Sequence, residues 1–132
     1  MSYLFDPSAI FKAISKNRVE MLAGNFTLDL AKYELGNVIW KLNILLKTIS
    51  AKEASRLMET VKKALELMSI LNAKGFEKEI LALAMELRIS FYDASYVYLA
   101  QNKGLALVTE DEALHRKLRD QVEVLKFNGL KA

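Results

Sequence analysis

The chain begins MSYLFDPSAIF (1–11), and these residues set the architecture. A short apolar run, 2–5, stops at Asp6-Pro7, where an acid able to cap a helix precedes a proline suited to its first turn. The reading is a strand followed at once by a helix to about residue 16. The same alternation continues. Gly24-Asn25 marks a turn, 26–28 a second short strand, and Asp29 is expected to cap a long helix over 30–48. Ser50 and Glu53 form a capping-box pair that opens another helix fading near Leu65, while 66–71 reads equally as its last turn or as a short edge strand. Gly75 precedes a helix over 76–88 whose apolar positions Ile80, Leu83, Ala84 and Leu87 keep helical spacing. A further helix is expected over 93–103, ended by Gly104, then a buried-type strand at 105–108, a short helix at 111–119 and a last strand at 122–127. Strands alternating with helices predict an α/β domain with a mostly parallel, short-stranded central sheet and helices on both faces. In such a sheet, functional groups gather beyond the carboxyl ends of the strands.

Composition agrees. The 132 residues, with 27% charged and 52% hydrophobic side chains, fit a single domain over 1–132 with one substantial core. The apolar start lacks a basic leader and is interrupted by Asp6 and Pro7, so no signal peptide is expected, and no apolar run is long enough for an ordinary membrane span. The expected location is the cytoplasm. With no cysteine and one histidine, His115, thiol chemistry and thiolate zinc sites are excluded and any metal would be held by oxygen. His115 itself reads as a surface residue of a short polar helix.

Two carboxylates stand alone in apolar surroundings: Asp6 within 1–11 and Asp93 within 89–100 (ISFYDASYVYLA). Beside a core, a carboxylate must be hydrogen-bonded, paired or bound to a cation. Asp111 follows the 105–108 strand, at the same rim as Asp6. Glu34 lies on the edge of the apolar stripe of the 30–48 helix, near its amino end, with neither Lys32 nor Lys41 on its own face. Asp6, Asp93 and Asp111 each also suit a helix cap, and Thr109 with Glu112 fits a capping box. The capping reading and the metal reading both stand for these three. The four acids together favour a hard cation, Mg²⁺ or Mn²⁺. Setting them aside, the net charge of +3 becomes 19 basic against 12 acidic groups, which suits a polyanion as readily as ordinary solubility. Gly36, inside the long helix, suggests close approach of another backbone. The apolar surface of 39–46 (IWKLNILL) exceeds what one core can cover and calls for a second copy or a partner helix. Tyr92, Tyr96 and Tyr98 read as core or interface, without a recognition role.

LFDPSAIF (4–11), YELGN (33–37), YDASYVYLA (92–100) and LVTEDEAL (107–114), in this order and spacing, resemble the PIN-domain ribonucleases, specifically the VapC-type toxins of toxin–antitoxin pairs. The likeness spans Tyr3 to about Leu125. It implies the three-layer PIN-like fold and places the family's acidic quartet on Asp6, Glu34, Asp93 and Asp111, as catalytic and metal-binding residues. Ser8 and Thr109 would be polar neighbours, and Asn37 would orient the glutamate. It also implies one or two Mg²⁺ or Mn²⁺ ions, endonucleolytic cleavage of RNA leaving a 5′-phosphate and a 3′-hydroxyl, a VapB-type antitoxin and a homodimer. Pro7 is a less usual neighbour of the first aspartate, and Glu110 and Glu112 add charge beside Asp111. A receiver domain would need paired acids after the first strand, and a haloacid-type phosphohydrolase an aspartate where Ser8 stands. The remaining alternative is a non-catalytic PIN-like RNA- or protein-binding module.

Overall fold

The computed structural model describes residues 2–130; the first residue and the last two of the expected 1–132 domain lie outside them. Five strands, β1 (Tyr3–Phe5), β2 (Phe26–Leu28), β3 (Ser69–Leu71), β4 (Ala106–Val108) and β5 (Val124–Leu125), form one sheet in the order β3-β2-β1-β4-β5. Every neighbouring pair is parallel. Among the described residues six α-helices accompany them: α1 (Pro7–Ser15), α2 (Ala31–Trp40), α3 (Ala51–Glu66), α4 (Glu77–Leu87), α5 (Phe91–Lys103) and α6 (Glu112–Lys117). The inner strands β1, β2 and β4 are almost wholly buried, which is why they read as short, largely apolar runs instead of alternating patterns, whereas the edge strand β3 is exposed. Phe5 and Val108 pack against α1, α2 and α3 through Ile10, Leu35 and Val61. Leu4 and Leu107 face the other way, onto Val97 and Leu99 of α5 and Leu114 of α6. The result is three layers with β1 at the centre.

The chain runs outward from β1 through β2 to β3, then returns to add β4 and β5 on the other side. The loops leaving β1 and β4 therefore part in opposite directions, and the crevice between them is where parallel sheets place their ligands. The Asp6 amide, donating to the Val108 carbonyl at 3.0 Å, joins the two strand ends at that point.

Local chemistry explains where elements begin and end, and where they depart from expectation. Asp6 caps α1, its Oδ1 accepting the Ala9 amide at 3.0 Å, with Pro7 in the first turn. Asp29 does not cap α2. Its amide donates to the Leu71 carbonyl at 2.9 Å, which holds it at the β2–β3 ends, and Leu30 occupies the cap position without a side-chain bond. The helix expected over 30–48 stops being regular at Trp40 and widens into a π-helical turn over Lys41–Leu45. There the Thr48 amide and hydroxyl both donate to the Leu42 carbonyl, and the Asn43 side-chain amide donates to Ile49, so side-chain bonding competes with the helical ladder. Gly36 is not a close-packing site, since a Cβ there would meet nothing within 4 Å. The Ser50–Glu53 capping box forms as expected. The ambiguous 66–71 segment divides: the helix ends at Glu66 and β3 starts at Ser69, pairing with β2 in parallel register.

The cap of α5 differs in a way that matters to the site. Ser90, not Asp93, holds it: Ser90 Oγ accepts the Asp93 amide at 3.0 Å, and Asp93 lies inside the first turn. Ser90→Ala is accordingly expected to lower unfolding stability by about 1 kcal/mol in urea titrations. Asp111 does cap α6, accepting the Ala113 and Leu114 amides at 2.9 and 3.2 Å. The Thr109–Glu112 capping box does not form, because Glu112 pairs with Lys126 instead. The last strand shortens to Val124–Leu125 and gives way to a 3-10 turn over Phe127–Gly129.

Candidate functional site

Asp6 leaves the centre of the sheet at the crevice and is only 7% exposed. Its Oδ1 accepts the Ser8 hydroxyl at 2.6 Å as well as the Ala9 amide. Burial pushes its carboxyl up to about 6; the Ser8 and Thr109 hydroxyls and the Ala9 amide pull against that rise, and Asp93 adds repulsion. Ser8 also accepts the Glu110 amide at 2.9 Å and lies 3.3 Å from the Thr109 hydroxyl, so it fastens the loop after β4 to the carboxylate after β1. Thr109 is fully buried, and its hydroxyl accepts the Asp111 amide at 3.2 Å.

Glu34 projects from α2 and is half-buried. Its Oε1 accepts the Tyr96 hydroxyl at 3.0 Å. Burial raises its pKa, the Tyr96 bond lowers it, and the charges of Asp6 and Asp93 raise it again. Lys32 is not its partner, for that ammonium sits 5.1 Å from the centre of the Tyr33 ring. Among the described residues the ion pairs are Arg18–Glu20 and Lys126–Glu112, and neither touches the four acids. Asn37 is exposed, and the bond that Glu34 receives comes from Tyr96 and not from it.

Asp93 is half-buried at the start of α5. Burial raises its pKa and repulsion from Asp111 adds to this, while Ser90 and the Lys117 ammonium act the other way. Lys117 is anchored by donating to the Arg88 carbonyl at 3.0 Å. Asp111 is exposed and uses Oδ1 for its two capping amides. Its two acidic neighbours are committed elsewhere, Glu110 accepting the Phe127 amide at 2.8 Å and Glu112 pairing with Lys126.

The structure thus brings Asp6, Glu34 and Asp93 into one another's electrostatic field, with Asp111 joined to the set through Asp93. They come from a strand end, from helices on opposite faces of the sheet, and from the loop after β4. Among the described residues, no three acid or imidazole groups close into a ready-made metal cage. The donor set is nevertheless all oxygen, self-repelling and nearly free of basic partners. That fits a hard ion which keeps several waters and takes further ligands from phosphate. A cleft of about 360 Å³ near the amino end of β4, lined by Gln101, Leu105, Gln121 and Glu123, contains none of these acids.

Two supports were not legible as site residues. Tyr96 is 2% exposed and reads as core by pattern, yet its phenol, held protonated by burial and by Glu34, reaches the carboxylate. His115 is half-buried, with Nε2 2.8 Å from the Thr109 carbonyl, so it braces the acidic loop instead of standing free. The one available signal was spacing: Tyr96 lies three residues after Asp93, on the same helical flank.

No family model matches the chain. Among characterised proteins it is 36% identical over 130 residues to "Exonuclease VapC9" of Pyrobaculum aerophilum, covering 94% of this chain and 91% of that one. It is 34% identical over 91 residues to "Ribonuclease VapC3" of the same organism, covering 69% of each. Among solved structures, PAE2754 from Pyrobaculum aerophilum superposes with a TM-score of 0.80 at 29% identity over 97% of this chain and 93% of that one. VapBC-1 from nontypeable Haemophilus influenzae gives 0.62 at 15% identity over 97% and 99%, a likeness of fold. Extensive identity to two VapC proteins, on a five-stranded parallel sheet with acids at its crevice, makes this chain a member of the VapC family of PIN-domain nucleases.

Proposed function

We propose that this chain is a Mg²⁺- or Mn²⁺-dependent endoribonuclease acting as the toxin of a toxin–antitoxin pair. The observation that carries the reading is the meeting of Asp6, Glu34 and Asp93, from three separate elements, as mutually repelling and incompletely paired carboxylates at the crevice. Maintaining such repulsion is unfavourable unless a cation is bound there during function. Asp6, Glu34 and Asp93 would hold the ion, with Asp111 completing or tuning the set. The ion would offset their charge, make a water nucleophilic at neutral pH and stabilise charge growing on the phosphodiester oxygens.

The chain's own residues do the rest. Ser8 and Thr109 hold Asp6 and the β4 loop in register, and Tyr96 holds Glu34. In the cleavage, a water oxygen bonds to phosphorus and the bond to the 3′ oxygen breaks, leaving a 5′-phosphate and a 3′-hydroxyl. Lys12, Lys16, Arg116 and Lys117 are the proposed phosphate contacts, Lys117 being the cation whose field reaches Asp93. The exposed Val38 and Trp40 of α2, with Ile44, Leu45 and Leu46 of the π-helical turn and the residue after it, are proposed to receive an apolar antitoxin segment, which would also direct a basic side chain at the acids. A second copy of the chain would share the remaining apolar surface. Among the described residues, no helix is long and apolar enough to cross a membrane. The proposed site of action is the cytoplasm, where RNA is at hand.

The test is incubation of linear and circular RNAs with the purified chain in Mn²⁺, in Mg²⁺ and in chelator. Ion-dependent cleavage of both forms is the expected outcome. Cleavage of linear RNA alone would make the enzyme an exonuclease, the activity named for one relative. RNA binding without cleavage in any ion would support the binding-module alternative.

A further inference from the structure

We infer that Tyr96 is the positioning residue for Glu34, the side chain that ties the two helical layers together across the crevice and keeps this carboxylate turned toward the ion site. The inference rests on the metal-dependent reading and deepens it. Glu34 stands on α2, packed on one face of the sheet, whereas Tyr96 stands on α5, packed on the other. Their 3.0 Å hydrogen bond is, among the described residues, the side-chain bond that joins these two helices over the strand ends. Tyr96 is 2% exposed, so its ring is fixed by packing and its hydroxyl has little freedom to leave. The buried Thr27 hydroxyl donates to the Phe5 carbonyl at 2.7 Å, immediately before Asp6.

Glu34 needs such a hold more than its neighbours do. Asp6 has the Ser8 hydroxyl and a backbone amide, and Asp111 has two amides. Glu34 has a longer side chain and is repelled by both Asp6 and Asp93. The Tyr96 bond occupies Oε1 and leaves Oε2 for a cation. Groups that hydrogen-bond to metal-binding carboxylates in this way commonly change metal affinity by about 10- to 100-fold when removed.

Tyr96→Phe retains the ring and deletes the bond. The decisive readout needs no RNA: Mn²⁺ binding followed by the electron paramagnetic resonance signal of the free ion. The variant is expected to bind Mn²⁺ about tenfold more weakly than the wild type. Half-saturating Mn²⁺ for cleavage should rise by a similar factor, while kcat at saturating Mn²⁺ returns to within about threefold. In Glu34→Gln, adding Tyr96→Phe should weaken Mn²⁺ binding no further, because the effect passes through Glu34. Unchanged Mn²⁺ affinity with lowered thermal stability would overturn the inference and leave Tyr96 a packing residue, with the nuclease reading intact. Absence of Mn²⁺ binding by the wild type would remove the metal reading itself and this role with it. Should Tyr96→Phe fold poorly, Glu34→Asp, which withdraws the carboxylate from the phenol, should show the same loss of Mn²⁺ affinity; equal affinity there would also overturn the inference.

Discussion

Asp6→Asn should abolish RNA cleavage, by more than about 100-fold, and at the same time make the protein more stable at pH 8. The two effects share one cause. Asp6 must carry a charge to bind a cation, but it is almost entirely buried, and burial has raised its pKa from 3.8 to about 6. A carboxyl that holds its proton more tightly in the folded state than in the unfolded one contributes stability below the unfolded value. That contribution is lost as pH rises through about 6. Above this, the ionised group costs the fold about 3 kcal/mol. Asparagine is neutral throughout and retains an oxygen to accept the Ala9 amide and the Ser8 hydroxyl, so the α1 cap survives. In chelator, urea midpoints should therefore favour the variant at pH 8, by up to about 3 kcal/mol, and converge with wild type near pH 4. Adding Mn²⁺ should reverse the order at pH 8, since only the wild type binds the ion strongly enough to be stabilised by it. If the variant were no more stable at pH 8 in chelator, the charge of Asp6 would have to be compensated within the fold, and the case for a cation would weaken.

The core of the architecture was readable because its signals were local. Asp6-Pro7, Ser50 with Glu53, and Gly104 punctuate the chain by backbone chemistry that needs no tertiary partner. The misreadings arose where distant contacts decided. Asp29 looks like a cap until its amide is drawn to Leu71, which lies 42 residues on and could not be paired from sequence. The long helix over 30–48 looks continuous until Asn43 and Thr48 find carbonyls across the loop and turn it into a π-helical end. The start expected for α5 falls two residues late because Asp93 suits a cap as well as Ser90 does, and only the fold shows that Ser90 takes that place.

The acids of the candidate site stand out in the sequence for a different reason. A carboxylate in an apolar run is unfavourable wherever the chain folds, so Asp6 and Asp93 stood out before any contact was known. Their supports did not. A tyrosine among Ala94, Val97 and Leu99 has the pattern of a core residue and is one; its ring is buried, and only the direction of its hydroxyl makes it part of the site. His115 was likewise invisible as a support, because a surface helix with one inward turn cannot be told from one without it by composition.

Asp93 and Asp111, though both are aspartates at helix starts, should respond unequally to the same substitution. Asp93→Asn is expected to lower cleavage by more than about 100-fold, whereas Asp111→Asn should lower it about tenfold and recover at high Mn²⁺. Ser90 performs the capping of α5, so the Asp93 carboxylate is left half-buried within the field of Asp6, Glu34 and Asp111, with Lys117 as the opposing cation. Removing its charge takes away a centre of the array without disturbing the helix start. Asp111 is exposed, its Oδ1 already serves α6, and its field reaches the others through Asp93. Asparagine caps a helix as well as aspartate does, so Asp111→Asn should unfold at the wild-type midpoint, while Asp111→Ala should lose about 1 kcal/mol in addition to its activity defect. Single-turnover cleavage across a Mn²⁺ series, paired with urea titrations, separates these outcomes. Equal and unrecoverable losses in Asp93→Asn and Asp111→Asn would mean that the loop after β4 holds the ion as directly as α5 does. The site would then be a four-carboxylate unit, and not three acids tuned by a fourth.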